Sequence, residues 1–289
     1  MDTTNKVSGM IQGYVATIGM FDGVHKGHQF VLRQVVEQSR RCGLQSLCVT
    51  FDRSPRQEQV LTPLDEKLEL IRQTGIDRIE VLSFTSELKS LSAKTFMEQV
   101  LKQQLGVKML LTGYDNRFGH NRMEGFADYV HYGQELGIEV SALPAEGSIS
   151  SSMVRQLLAD GQVEEASQCL GRPYRVTAHV THGEHIGTLL GYPTANLVPD
   201  DPSQLIPARG VYAVRCGSLK GMMNIGKRPT FGSHPLTIEV HLLDYSGNLY
   251  DRQLTVEFVS RLREEQDFES AELLKEQLKK DLLETRQRL

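Results

Sequence analysis

Ten residues near the start of the chain, Gly19-Met20-Phe21-Asp22-Gly23-Val24-His25-Lys26-Gly27-His28, place two histidines on either side of a glycine. They stand between an apolar run, Tyr14–Ile18, and a segment of helical period that begins at Gln29. A loop leading from a strand into a helix offers unpaired backbone N–H groups and the positive end of a helix dipole, which suits a phosphate. Gly19 and Gly23 allow close backbone approach, while His25 and His28 can donate to phosphate oxygens. Two later segments have the same character. Gly113-Tyr114-Asp115-Asn116-Arg117-Phe118-Gly119 follows an apolar run, and Ile149-Ser150-Ser151-Ser152-Met153-Val154-Arg155 opens a helix with cap hydroxyls and a cation. Each alone reads as a turn or a cap. Together they suggest in-line displacement at phosphorus, with histidines, backbone N–H groups and Arg155 stabilising the developing charge.

The second half holds a different set. Gly191-Tyr192-Pro193-Thr194-Ala195-Asn196 gives a tight turn with a hydroxyl and an amide beside a β-run. Glu239 lies within Ile238-Glu239-Val240-His241-Leu242-Leu243-Asp244, where strand alternation leaves it as a solvated residue unless a site claims it.

The elements that must position these residues change character along the chain. Runs at 14–18, 46–51, 78–82, 107–111 and 138–143 read as strands, alternating with helical segments at 29–40, 64–74, 92–104 and 125–136. Such alternation predicts a parallel sheet with crossover helices and ligands at the carboxyl ends of its strands. After Gly171-Arg172-Pro173, short β-rich runs at 174–181, 210–216, 222–225, 238–243 and 254–259 take over, with a hairpin turn expected at Asp244–Asn248. These predict a small antiparallel barrel closed by a helix near 270–285, whose Leu274, Leu278 and Leu282 pack on it. The expected domains are 1–170 and 171–289.

The 289-residue chain is long enough for two such cores, and its 39% hydrophobic and 24% charged residues exclude a disordered polymer. A net charge of −4 speaks against nucleic-acid or anionic-membrane binding, and no apolar run approaches a membrane span. Cys42, Cys48, Cys169 and Cys216 are scattered, without metal-like spacing, so reduced thiols and a cytoplasmic setting are expected. Residues Met1–Lys6 are polar, with no apolar signal core. Neither G-x-x-x-x-G-K-[ST] nor G-x-G-x-x-G occurs. A monomer or weak homo-oligomer is expected.

The motifs G-x-F-D-G-V-H-x-G-H, G-x-D-x-x-F-G and S-S-x-x-x-R, in this order, resemble the adenylyltransferase half of bacterial bifunctional riboflavin kinase/FAD synthetases. The P-T-A-N turn, Gly210-Val211-Tyr212, Asn224–Phe231, the E-V-H-L-L-D strand and Leu262-Arg263 resemble the kinase half. The likeness implies a Rossmann-like nucleotidyltransferase domain followed by a six-stranded barrel with a C-terminal helix. It implies ATP, riboflavin, FMN and FAD as substrates and products, with Mg²⁺ as cofactor. In the first site, His25 and His28 would steady the phosphates, and Gly19, Phe21, Asp22, Gly23, Gly113, Asp115, Arg117, Phe118, Ser151, Ser152 and Arg155 would shape the ATP and FMN pocket. In the second, Thr194 and Asn196 would hold Mg²⁺ and the ATP phosphates, Gly191, Pro193 and Arg263 would line the site, and Glu239 would be the base. Ser54 stands where the family usually has histidine, Thr188 where it usually has arginine, and Ser152 where it usually has threonine. The alternatives are a single-function nucleotidyltransferase with a ligand-binding barrel, or a barrel that binds RNA.

Overall fold

The computed structural model describes residues 13–52, 59–113, 117–120, 123–144, 149–182, 187, 191–227 and 236–289. Two compact units emerge. The first comprises residues 1–58 and 64–149, and the second residues 59–63 and 150–289.

The first unit is a five-stranded parallel sheet in the order β3-β2-β1-β4-β5, with β1 Tyr14–Ile18, β2 Gln45–Phe51, β3 Arg78–Leu82, β4 Val107–Gly113 and β5 Glu139–Leu143. Alternate side chains of β1 feed opposite faces. Tyr14, Ala16 and Ile18 enter one apolar cluster with Phe96, Met97 and Tyr129, while Val15 enters the other with Leu32, Val35 and Ile71. Burial on both faces is why these strands read as continuous apolar runs rather than alternating ones. Helix α1, Lys26–Cys42, follows β1 and ends at Gly43 in the left-handed conformation, φ 65°. Helices α2 (Leu64–Arg72), α3 (Ser86–Ser90), α4 (Ala93–Phe96) and α5 (Phe126–Leu136) complete the unit. The turns after α4 widen into a π-helix, Met97–Gln104, that the apolar period at 92–104 did not distinguish from an α-helix. Chain order reverses between β1 and β4, so the loops after these neighbouring strands leave the same sheet edge at the switch point.

The second unit is a closed antiparallel barrel in the order β10-β7-β6-β11-β8-β9. Its strands are β6 Tyr174–Thr181, β7 Ala195–Pro199, β8 Gly210–Cys216, β9 Leu219–Lys227, β10 Leu236–Leu242 and β11 Gln253–Arg263. The C-terminal helix α8, Ala271–Arg288, sets Leu278 and Leu282 against Val211, Met222 and Leu243. Leu274 of the expected stripe does not join that cluster. A further correction concerns a turn. Residues 244–248 do not close a hairpin, because β10 pairs with β7 and β9 while β11 pairs with β6 and β8. Turn-forming residues fix a local reversal but not which strands then meet. The two-residue connection Gly217-Ser218, with Gly217 at φ 59°, joins the antiparallel pair β8 and β9 instead. Helices α6 (Ser151–Ala159) and α7 (Val163–Leu170) group with the barrel, so the compact units divide at Ile149/Ser150, ahead of the composition change near 170. The reason is packing: α7 buries Val163, Ala166 and Leu170 and lies against β6 and β11.

Candidate active sites

In the first unit the chain leaves β1 through a loop held in unusual backbone geometry. Phe21, Gly23 and Val24 have φ values of 49°, 83° and 39°. Two of the three are not glycine, so this conformation costs energy that the surroundings must supply. The Val24 N–H donates to Phe21 O (3.1 Å), closing the turn, and Gly19 N–H donates to Val49 O (3.1 Å), tying its start to β2. His25 is the N-cap of α1, and its Nδ1 accepts from the His28 N–H at 3.4 Å. That role as acceptor places the His25 proton on Nε2. The His25 and His28 rings stack with centroids 3.6 Å apart, and Phe21 meets His28 edge-on at 5.2 Å. A Cβ on Gly27 would stand 3.3 Å from the His25 ring, a tight contact that would press on the stack.

His28 Nδ1 is shielded from solvent and has no hydrogen-bond partner. Burial first, then the neighbouring His25 and the Lys67 ammonium, hold the pKa of His28 well below the ordinary 6.5. The ring stands at the start of a 17-residue helix with no acid in its first turn.

Of the Gly113–Gly119 segment, Asp115 lies outside the described residues. Gly113 ends β4. Arg117 is exposed and donates to Glu124 O (3.0 Å). Phe118 turns inward, stacked on Tyr129 at 4.1 Å, whose hydroxyl accepts from the Phe118 N–H. Its ring anchors the loop to the core. Ser151, Ser152 and Arg155 stand at the start of α6 in the second unit. There the capping hydroxyl is that of Ser150, which accepts from Met153 N–H, and Arg155 donates to the carbonyls of Ser151 and Gln59 (3.3 Å each).

In the barrel, strand register gathers the predicted residues. Glu239 of β10 pairs with Asn196 of β7 on one side and Asn224 of β9 on the other, so the three side chains share one face. Thr194 Oγ1 donates to Glu239 Oε2 at 3.0 Å. His241 Nδ1 donates to Pro193 O at 2.8 Å, fixing the turn to the same strand. Gly191 has φ 86°, and the Gly187 backbone approaches so closely that a Cβ there would meet Tyr192 O at 2.3 Å. Thr194 also borders a cleft of about 180 Å³, walled by Pro193, Val240, Tyr245 and Tyr250, with His182 stacked on Tyr250 at 4.2 Å; Glu239 is tied to this cleft through Thr194 and does not line it. Tyr245–Tyr250, overlapping the Asp244–Asn248 segment expected as a hairpin turn, thus form a wall of the cleft. Arg263 is engaged elsewhere: its guanidinium holds the carboxylate of Asp281 on α8 through contacts of 2.7–3.0 Å. Ser54 and Thr188 lie outside the described residues.

Sequence reasoning assigned no role to Lys67, and Asn224 and His241 stood within quoted motifs without one. Lys67 sits in the polar stretch Asp65-Glu66-Lys67, where nothing announces burial, and Asn224 and His241 acquire their place only through register.

The two halves match two family models: FAD synthetase over residues 8–154 and riboflavin kinase over residues 170–289. Among curated proteins, the bifunctional riboflavin kinase/FMN adenylyltransferase of Pseudomonas fluorescens is 40% identical, across 95% of this chain and 93% of that protein. The protein of the same name from Escherichia coli K12 is 37% identical, across 96% and 93%. A crystal structure named as a macrolide-efflux protein from Streptococcus pneumoniae superposes with a TM-score of 0.86 at 30% identity, covering 96% of this chain and 95% of that one. Among the described residues of this chain, no helix is long and apolar enough to cross a membrane. With Glu239 hydrogen-bonded to Thr194 at the rim of a barrel cleft, a stacked histidine pair at the switch point and relatives matched along nearly their whole length, the chain belongs to the bifunctional riboflavin kinase/FMN adenylyltransferase family.

Proposed function

We propose that this riboflavin kinase and FMN adenylyltransferase performs phosphorylation at Glu239, beside the barrel cleft that Thr194 lines, and adenylyl transfer at the His25–His28 loop, with the work divided near residue 170. The Thr194–Glu239 hydrogen bond carries the first assignment. It occupies Oε2 of Glu239 and leaves the rest of the carboxylate to take the proton from the ribityl 5′-hydroxyl as that oxygen attacks the γ-phosphorus of ATP. The products are FMN and ADP. Thr194 gives its proton to Glu239, so its lone pairs face outward, and with the Asn196 amide oxygen it offers the hard donors that Mg²⁺ prefers. Bound there with ATP, Mg²⁺ would supply charge neutralisation on the phosphates. Tyr245 and Tyr250 give the cleft flat apolar walls suited to a ring system.

At the other site, the FMN phosphate attacks the α-phosphorus of a second ATP, and the bond to pyrophosphate breaks. His25 donates from Nε2 to a phosphate oxygen, the α1 N–H groups face the same charge, and His28 stays neutral beneath it. The four cysteines, none of them disulfide-bonded, fit a reducing, cytoplasmic setting.

A chromatographic time course with riboflavin, excess ATP and Mg²⁺ tests both assignments. Wild type should form FMN and then FAD, Glu239→Ala neither, and His28→Ala should stop at FMN. FAD formation by His28→Ala at the wild-type rate would remove the histidine role, and FMN formation by Glu239→Ala would remove the base.

A further inference from the structure

Lys67 lies on α2 one turn before Ile71, and both are buried; Lys67 is only 4% exposed. An ammonium in such a place is costly to desolvate, and an apolar side chain would pack there as Ile71 does. What the charge meets explains its presence. Lys67 Nζ donates to Phe51 O, the last residue of β2, at 2.6 Å and to Met20 O, just beyond β1, at 3.3 Å. Thr50 Oγ1 donates to the same Met20 carbonyl at 3.2 Å. The carboxylates of Asp22 and Asp52 favour the charged form of Lys67 against the burial that lowers its pKa. The next residues are Phe21 and Val24 in left-handed conformations, and then His25.

We propose that Lys67 is a positioning residue for adenylyl transfer: its buried ammonium clamps the carboxyl ends of β1 and β2 and balances Asp22, so that the strained loop presents His25 and His28 to the triphosphate. The charge reaches the pair electrostatically as well, being one of the causes that keep His28 neutral. This inference rests on the assignment of the His25–His28 loop to adenylyl transfer.

The experiment compares Lys67→Met, which keeps length but removes charge and donors, with Lys67→Arg, which keeps both. FAD formation from FMN and ATP is measured alongside FMN formation from riboflavin in the same preparations, with thermal unfolding of each. Lys67→Met should lower kcat for FAD formation by about tenfold or more, with KM for ATP changed by less than about threefold. Lys67→Arg should recover most of kcat, and the kinase rate should stay at wild type in both. Within the folded protein, the His28 ring proton resonance of Lys67→Met should titrate at higher pH than in wild type. Unchanged kcat in Lys67→Met, or equal loss in both variants in proportion to lost folded protein, would overturn the proposal. If His28→Ala lowers FAD formation while Lys67→Met does not, the site assignment stands and this inference alone falls.

Discussion

His28 is a neutral ring at the start of α1, and its protonation should be visible in stability. Its folded-state pKa is depressed, chiefly by burial. Between that lowered value and the ordinary 6.5 the unfolded chain binds the extra proton, so the contribution is present above 6.5 and drains as pH falls below it. Urea midpoints at about pH 7.5 and about pH 5.5 should therefore separate in wild type, with a limiting slope near 1.4 kcal/mol per pH unit from this group. His28→Gln should narrow the gap, and an unchanged gap would show that His28 is not the titrating group. At this scale the motif was legible in advance, since glycine and histidine spacing is local. Lys67 was not, because the burial of a lysine in a polar stretch is decided by the strands it meets.

Helix α8 illustrates how an element is fixed by more than its apolar stripe. Leu278 and Leu282 pack on the barrel, but the same face also carries Asp281, 2% exposed, which receives Arg263 and Gln277 Nε2. Removing one partner of such a pair leaves a buried charge uncompensated, so Asp281→Ala should destabilise the second unit by about 3 kcal/mol in urea unfolding. A loss under about 1 kcal/mol would mean that the pair is effectively solvated. Arg263 acts here as the strap between β11 and α8, a use its place in the Leu262-Arg263 pair did not reveal. Glu239 shows the opposite case. Alternation fixed only that it faces away from Ile238 and Val240, while pairing with Asn196 and Asn224 made it part of a site.

For the whole molecule, the division into units has a consequence for fragments. Val163 and Leu170 of α7 are fully buried, and burying such a side chain is worth roughly 1.5–3 kcal/mol. A fragment spanning 150–289 should therefore melt at a higher temperature than one spanning 171–289, as followed by circular dichroism. Equal melting temperatures would show that α6 and α7 add nothing to the barrel. Residues 59–63 enter the same unit through Val60, whose N–H donates to Ser203 O and whose carbonyl accepts from Leu205 N–H (2.8 Å each).

The amino-acid sequence by itself determined the two textures, the H-x-G-H loop between strand and helix, and the P-T-A-N turn, because periodicity, glycine tolerance and capping act over a few residues. Tertiary pairing set the closed strand order of the barrel, the grouping of α6 and α7 with it, the wall formed by 245–250, and the burial of Lys67 against the carbonyls of Met20 and Phe51. Each of those depends on which distant segments pair and on what they desolvate, and pairing is set by the summed burial of the whole chain rather than by any local run.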